Sequence, residues 1–196
     1  SDAYVAIKSA TGNCVTICGT GSMVIGENKE GKVIVKGGWG HILGDEGSAY
    51  AIAQEALKKI CVLNDKKIHS LIAEKAQEYF EVKSIRGIID KVYAPDCNKS
   101  FFAGFAKDVD FCAENGCELC QGIIKNQAQK FAGTFEALYN ETEDVASLSL
   151  YGGVLCKSEL FRSEFINSVK AFCPDIKTEI LSVPPEEGAL KAAMEL

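Results

Sequence analysis

The chain has 196 residues, 47% of them hydrophobic and 24% charged, with a net charge of −6. That length suits one large domain, or a domain with an appendage, built around a sizeable core. Lysines and arginines are scattered, which excludes a nucleic-acid surface built on a concentrated basic face, and no apolar run approaches the roughly 20 residues of a membrane span.

The opening "SDAYVAIKSATG" lacks the basic start of a secretion signal. The cysteines are Cys14, Cys18, Cys61, Cys97, Cys112, Cys117, Cys120, Cys156 and Cys173. Their odd number, and their place inside apolar runs such as "CVTIC", point to reduced thiols in a cytoplasm rather than a disulfide framework.

In chain order, "CVTICGT" (14–20), "SMVIGEN" (22–28) and "KVIVKGG" (32–38) are β-branched runs separated by tight turns. They predict an antiparallel meander of three strands. Over 46–60, Tyr50, Ile52, Ala53, Ala56, Leu57 and Ile60 fall at helical spacing. "DKKIHSLIAEKAQEYF" (65–80) predicts a second helix, "SIRGIIDKVYA" a short third, and 95–116 a looser piece. "CELCQGIIKNQAQKFAGTFEALYN" predicts a long helix, and "DVASLSLYGG" a buried strand with a glycine turn. "SELFRSEFINSVKAFC" predicts a helix capped by Ser158. "DIKTEILS" is the last strand, and "PPEEGALKAAMEL" a closing helix with prolines at its start. This order implies an α/β domain: a mixed sheet of about five strands, helices on both faces, and a helical insertion over about 64–105. No repeat, low-complexity tract or linker divides it.

Four stretches carry chemistry. "CGTGSM" (18–23) follows a strand, and its glycines allow successive N–H groups to converge on phosphate oxygens, with Thr20 and Ser22 adding hydroxyls. The same residues also suit an ordinary hairpin turn, and no Gly-Lys-Ser/Thr follows to make a Walker A loop. "GGWGHILGDEGSAY" (37–50) sets Gly37, Gly38 and Gly40 for close backbone approach, Trp39 and His41 as pocket walls, and Asp45 and Glu46 as hydroxyl acceptors. An acidic pair at a helix start also simply caps it. "YGGVLCKSELF" (151–161) is a strand, a Gly-Gly turn and a helix, the carboxyl end of a strand where α/β sheets bind ligands. Cys112, Cys117 and Cys120 have C-x4-C-x2-C spacing, part of an iron–sulfur pattern whose fourth ligand would have to be Cys97 or Cys156. The alternative is small buried residues near a helix start. Asp2 on its own is an exposed terminal acid, and nothing is assigned to His69.

Taken in order, "GTGS", "GGWGHILGDEGSAYAIAQEAL", "LYGGVLCKSELF" and "EEGAL" resemble the C-terminal half of N-acetylglucosamine kinases, a branch of the BadF/BadG/BcrA/BcrD ATPase family. The resemblance covers nearly the whole chain and is weakest over about 64–105. It implies the ribonuclease-H-like fold of sugar kinases, actin and heat-shock ATPases, in which two such domains hold ATP in their cleft. The Asp-x-Gly-x-Thr loop of the first domain is not in this sequence. The chain is therefore expected to be a single C-terminal domain over 1–196, inactive without the N-terminal phosphate-loop domain.

The resemblance also implies residue roles. Asp2 matches the aspartate that takes the proton from the sugar hydroxyl. Thr20, with Gly19 and Gly21, would contact the ATP phosphates. Ser22, Gly38, Trp39, Gly40, His41 and Asp45 would line the amino-sugar site, Gly152 and Gly153 would let adenosine lie on the backbone, and Ala113 would stand near the adenine. Cys117 departs from the family's aspartate, and Met23 from an asparagine some relatives carry near the sugar. The implied activity is transfer of the γ-phosphoryl of ATP, with Mg2+, to the 6-hydroxyl of N-acetylglucosamine or glucosamine, in a cytoplasmic enzyme of amino-sugar metabolism; many relatives are dimers, and the sequence leaves open whether this chain forms a homodimer. Two other activities fit the same residues: an ATPase that energises a partner redox enzyme through a cysteine-bound cluster, and an isolated domain that binds nucleotide or sugar without turnover.

Overall fold

Three β-branched runs with period-two alternation build one edge of the sheet in the computed structural model, which describes residues 12–142 and 145–181. Strands β1 (Cys14–Cys18), β2 (Ser22–Glu27) and β3 (Val33–Gly37) pair antiparallel. The chain then crosses over, so that β4 (Ser147–Tyr151) lies parallel to β1 and β5 (Lys177–Ile180) parallel to β4. The order is β3-β2-β1-β4-β5, the mixed five-stranded sheet expected. Along β1, Cys14 and Cys18 join the main core with Val24, Ile34, Leu148 and Leu150. Val15 faces the other way, with Ile25, Ile17 and Met23 around it.

Helix α1 (Ala49–Asp65) buries Ile52, Ala53, Ala56, Leu57 and Ile60 on one stripe, and Ser48 caps it by accepting from the Ala51 N–H. It starts three residues later than the spacing predicts. Asp45 and Gly47 have φ of 61° and 80°, which no right-handed helix accepts. Helix α2 (Leu71–Tyr79) also starts late, at the Ser70 cap, because Lys67 turns with φ 56°. A 3-10 turn (Ile85–Gly87) leads into α3 (Ile88–Val92).

The piece expected to be loose is helical instead: α4 (Lys99–Gly104) and α5 (Ala106–Glu114). Asn98 starts α4 by accepting from the Phe101 N–H at 2.8 Å, and Phe102, Phe105, Val109 and Cys112 draw both helices into the core. Helix α6 (Glu118–Thr142) is the long helix predicted. The Gly-Gly turn after β4 opens a short extra helix, α7 (Gly153–Lys157), before α8 (Glu159–Lys170), which Ser158 caps as expected. The closing helix expected over 184–196 lies outside the described residues.

The centre of the core is aromatic. Phe131 of α6 stacks on Phe165 of α8 with ring centroids 5.2 Å apart, and Phe80, Phe105, Phe135 and Phe161 are also fully buried. Each such side chain contributes about 2–3 kcal/mol by leaving water.

At the end of β4 the packing admits no side chain. Gly152 has φ 102°, and a Cβ there would lie 2.4 Å from the Cys18 carbonyl oxygen. Gly122, inside α6, has open space around it. Gly152→Ala is expected to lower stability by about 2 kcal/mol or more, whereas Gly122→Ala raises it by about 0.5–1 kcal/mol. Urea midpoints at unchanged slope would read both.

Candidate functional site

Because β1 and β4 run parallel, their carboxyl ends lie side by side, the edge at which α/β sheets receive ligands. β1 continues into the turn Gly19–Thr20–Gly21, and β4 into Gly152–Gly153. A Cβ built on Gly19 would be 3.9 Å from the Gly153 nitrogen, so two bare backbones meet there. The Ala49 N–H donates to the Gly19 carbonyl at 2.8 Å, tying the start of α1 to the turn.

Two spaces share this turn. One, of about 360 Å3, is floored by Gly19, Thr20 and Gly153 and walled by Ala103, Gly104 and Asp110. The other, of about 350 Å3, is lined by Thr20, Gly21, Ser22, Gly38, Gly40, Asp45 and Lys99. The structure thus gathers Ser22, Gly38, Gly40 and Asp45 on one side of the glycine turn, and Gly153 on the other.

The loop between β3 and α1 is held from the core. The Gly47 N–H donates to Gln127 Oε1 at 2.9 Å, and the Cys18 thiol donates to the Gly47 carbonyl at 3.2 Å. Burial, and then the charge of Asp45, push the Cys18 thiol well up, so it keeps the proton it donates. Gln127 is itself fixed by donating to Glu55 at 2.6 Å. A Cβ on Gly47 would lie 2.6 Å from that of Phe131, so the loop sits directly on the helix. The Ser22 hydroxyl donates to the Glu46 carbonyl at 2.7 Å, and the Gly38 N–H to the Ser22 carbonyl at 2.9 Å. These bonds present Asp45, 3% exposed, to the second space. Its carboxylate accepts from Lys99 Nζ at 2.6 Å.

Trp39, expected to wall the pocket, is 73% exposed. His41 packs on Tyr50 with ring centroids 4.6 Å apart, and Tyr50 in turn on Phe102. Ala113, expected near the adenine, is buried inside α5; one turn before it, Asp110 reaches the first space. Asp110 accepts from the Ser158 hydroxyl at 2.5 Å, and burial raises its pKa against the lowering effect of that bond. Asp110 and Lys99 escaped the sequence analysis, since their partners lie 48 and 54 residues away. Asp2 and the "EEGAL" stretch lie outside the described residues.

Cys112 and Cys120 are buried in the main core with Cys117 packed beside them, and burial pushes the Cys112 and Cys120 thiols up. All nine cysteines are free. Among the described residues no three His, Cys, Asp or Glu side chains are arranged to hold a metal ion, and no helix is long and apolar enough to cross a membrane.

The family model described as "BadF/BadG/BcrA/BcrD ATPase family" matches residues 1–195. Over 168 residues the chain is 30% identical to an N-acetylmuramic acid/N-acetylglucosamine kinase of Clostridium acetobutylicum, covering 83% of this chain and 55% of that protein. Over 69 residues it is 42% identical to an N-acetyl-D-glucosamine kinase of Dictyostelium discoideum, covering 33% and 22%. The chain thus spans about half the length of the first of these relatives and less of the second. Among solved structures, a protein of Chromobacterium violaceum provisionally described as an N-acetylglucosamine kinase superposes with a TM-score of 0.77 at 20% identity, over 97% of this chain and 63% of that one. A ROK family glucokinase of Streptomyces griseus, in complex with glucose and AMPPNP, gives 0.60 at 13%, over 100% and 66%. These likenesses show the expected sugar-kinase fold.

Gln127→Leu leaves the Gly47 N–H without its acceptor and takes one donor from Glu55, which keeps Asn126. It is expected to cost about 1–3 kcal/mol, read by urea unfolding, and to shift the emission of Trp39 as the loop loses its anchor.

Proposed function

The chain belongs to the BadF/BadG/BcrA/BcrD ATPase family, and from that premise we propose that it is the C-terminal half of an amino-sugar kinase, which moves the γ-phosphoryl of ATP to the 6-hydroxyl of N-acetylglucosamine or glucosamine. The observation that carries this is the glycine turn 19–21 shared by two spaces, one of them holding the buried carboxylate of Asp45. Kinase chemistry is mostly positioning and charge stabilisation, and a turn shared by two spaces supports a reading in which a phosphate donor on one side meets a hydroxyl acceptor on the other.

On the nucleotide side, the N–H groups of Thr20 and Gly21 and the Thr20 hydroxyl face the phosphates, helped by the N-terminus of α1, while the Gly19 N–H holds the turn closed by donating to the Gly21 carbonyl at 2.9 Å. Gly152 and Gly153 leave backbone bare for adenosine, against the apolar surfaces of Ile124 and Val154. On the sugar side, Asp45 accepts from ring hydroxyls, Ser22 lends its free lone pairs, and Gly38 and Gly40 allow the ring to approach the chain. Mg2+ would enter with the nucleotide as part of the substrate, neutralising its phosphates. Asp2 is the base that takes the hydroxyl proton late in transfer, a role that rests on the sequence resemblance. The N-terminal domain of the complete protein closes the cleft and keeps water from the phosphoryl group.

The test is ADP release by the complete protein with ATP, Mg2+ and a panel of sugars. N-acetylglucosamine or glucosamine is expected to trigger release, and sugar-free controls to stay silent. Release that ignores the sugar would overturn the kinase and favour an ATPase serving a partner enzyme. Asp2→Asn is expected to keep sugar binding, read by calorimetric titration, and to lose about 10²–10⁴-fold in turnover. Near-normal turnover would remove Asp2 from the mechanism.

A further inference from the structure

Helix α4 stands between the two spaces. Ser100, Ala103 and Gly104 line the first, and Lys99, at its N-terminal end, lines the second. A Cβ built on Gly21 would lie 2.9 Å from Lys99 Nζ and 2.8 Å from Asp45 Oδ2. The ammonium therefore rests directly over the turn that the two spaces share. Lysine carries three N–H donors. One goes to Asp45 at 2.6 Å, the one acceptor bonded to Lys99 among the described residues. The side chain is 33% exposed, so the remaining donors are open to the space.

The plainer role for an ion pair this well formed is to neutralise a buried carboxylate, since removing one partner of such a pair leaves an uncompensated charge. The position of the ammonium says more. A counter-ion for Asp45 alone could sit anywhere around that carboxylate; this one sits on the glycine turn, where a phosphoryl group would pass from one space to the other. A fixed cation at that point stabilises negative charge with no reorganisation when the group moves.

We propose that Lys99 bridges the two substrates: one N–H orients Asp45 toward the sugar hydroxyls, and the others bind the anionic phosphoryl group over the Gly19–Gly21 turn. The proposal deepens the kinase function above and rests on it. It adds a residue from the helical segment after α1, where the family resemblance is weakest, to the transfer site. No bond is made or broken on Lys99. It contributes charge and hydrogen bonds while the sugar oxygen replaces the ADP oxygen on phosphorus.

The experiment uses the complete protein and compares Lys99→Met and Lys99→Arg by calorimetric titration with N-acetylglucosamine, with its 6-phosphate and with inorganic phosphate, alongside steady-state turnover. Lys99→Met is expected to weaken the sugar about 10-fold, to weaken the sugar phosphate about 100-fold or more, and to lower kcat about 10²–10³-fold. Lys99→Arg, which keeps the charge, is expected to recover most of each. Equal losses for sugar and sugar phosphate would reduce Lys99 to the counter-ion of Asp45 and overturn the proposal, as would an unchanged kcat. If methionine at position 99 prevents folding, Lys99→Gln, which still donates to Asp45 but carries no charge, gives the same comparison. The inorganic phosphate arm separates the two ideas. A wild-type protein that phosphorylates no amino sugar refutes the kinase, whereas phosphate binding indifferent to Lys99→Met refutes the bridge even if the kinase stands.

Discussion

The site depends on how closely the chain at Gly152 approaches the carbonyl of Cys18. Parallel pairing of β1 with β4 brings their carboxyl ends to one edge, and the absence of a side chain at 152 lets the two exits lie against each other. With any larger residue there, the Gly19–Gly21 turn and the start of α7 would be pushed apart, and one continuous floor would become two separate loops. Bare backbone on both exits leaves room for a ligand on either side of the turn.

The second constraint links this floor to the core. The loop that carries Asp45 holds four residues with positive φ, Gly38, Gly40, Asp45 and Gly47; at Asp45, the one that is not glycine, that conformation costs energy and persists only when its surroundings determine it. The surroundings here are the Gln127 amide, the Cys18 thiol and the face of Phe131. Each belongs to an element that the hydrophobic core already fixes. The buried carboxylate is thus aimed by packing about the aromatic centre of the domain, and only its last contact, with Lys99, comes from the helical segment that follows α1.

Much of the fold was legible because its signals are local. β-branched runs gave the meander, apolar stripes gave α1 and α6, and the Ser158 cap marked the start of α8. Glycine turns at 19–21 and 152–153 marked the exits of β1 and β4 for the same reason. The late start of α1 was hidden, since nothing in "GDEGS" announces a positive φ at Asp45. The helices over 99–114 were hidden behind a proline and a scatter of cysteines, although the Asn98 cap and the spacing of Phe102, Phe105 and Val109 carry the signal. The partners of the site were least visible of all. Gln127 meets Gly47 across 80 residues and Lys99 meets Asp45 across 54, distances over which periodicity and propensity say nothing. The surroundings of Trp39 and His41 were equally hidden: Trp39 is turned to solvent and His41 packs on Tyr50, and the motif announces neither.

Helix α6 gives the loop one more property. Its 25 residues include Gln127 and Phe131, which grip Gly47, and Leu138 and Thr142, which press on Gly26 in the sheet. Loops of enzymes commonly form the least stable, most independently fluctuating parts of a domain. Here the segment around Gly47 is stapled to the same rod that covers the strands, so it has no private melting transition. It belongs to the cooperative unit of the core, and opens when the core does.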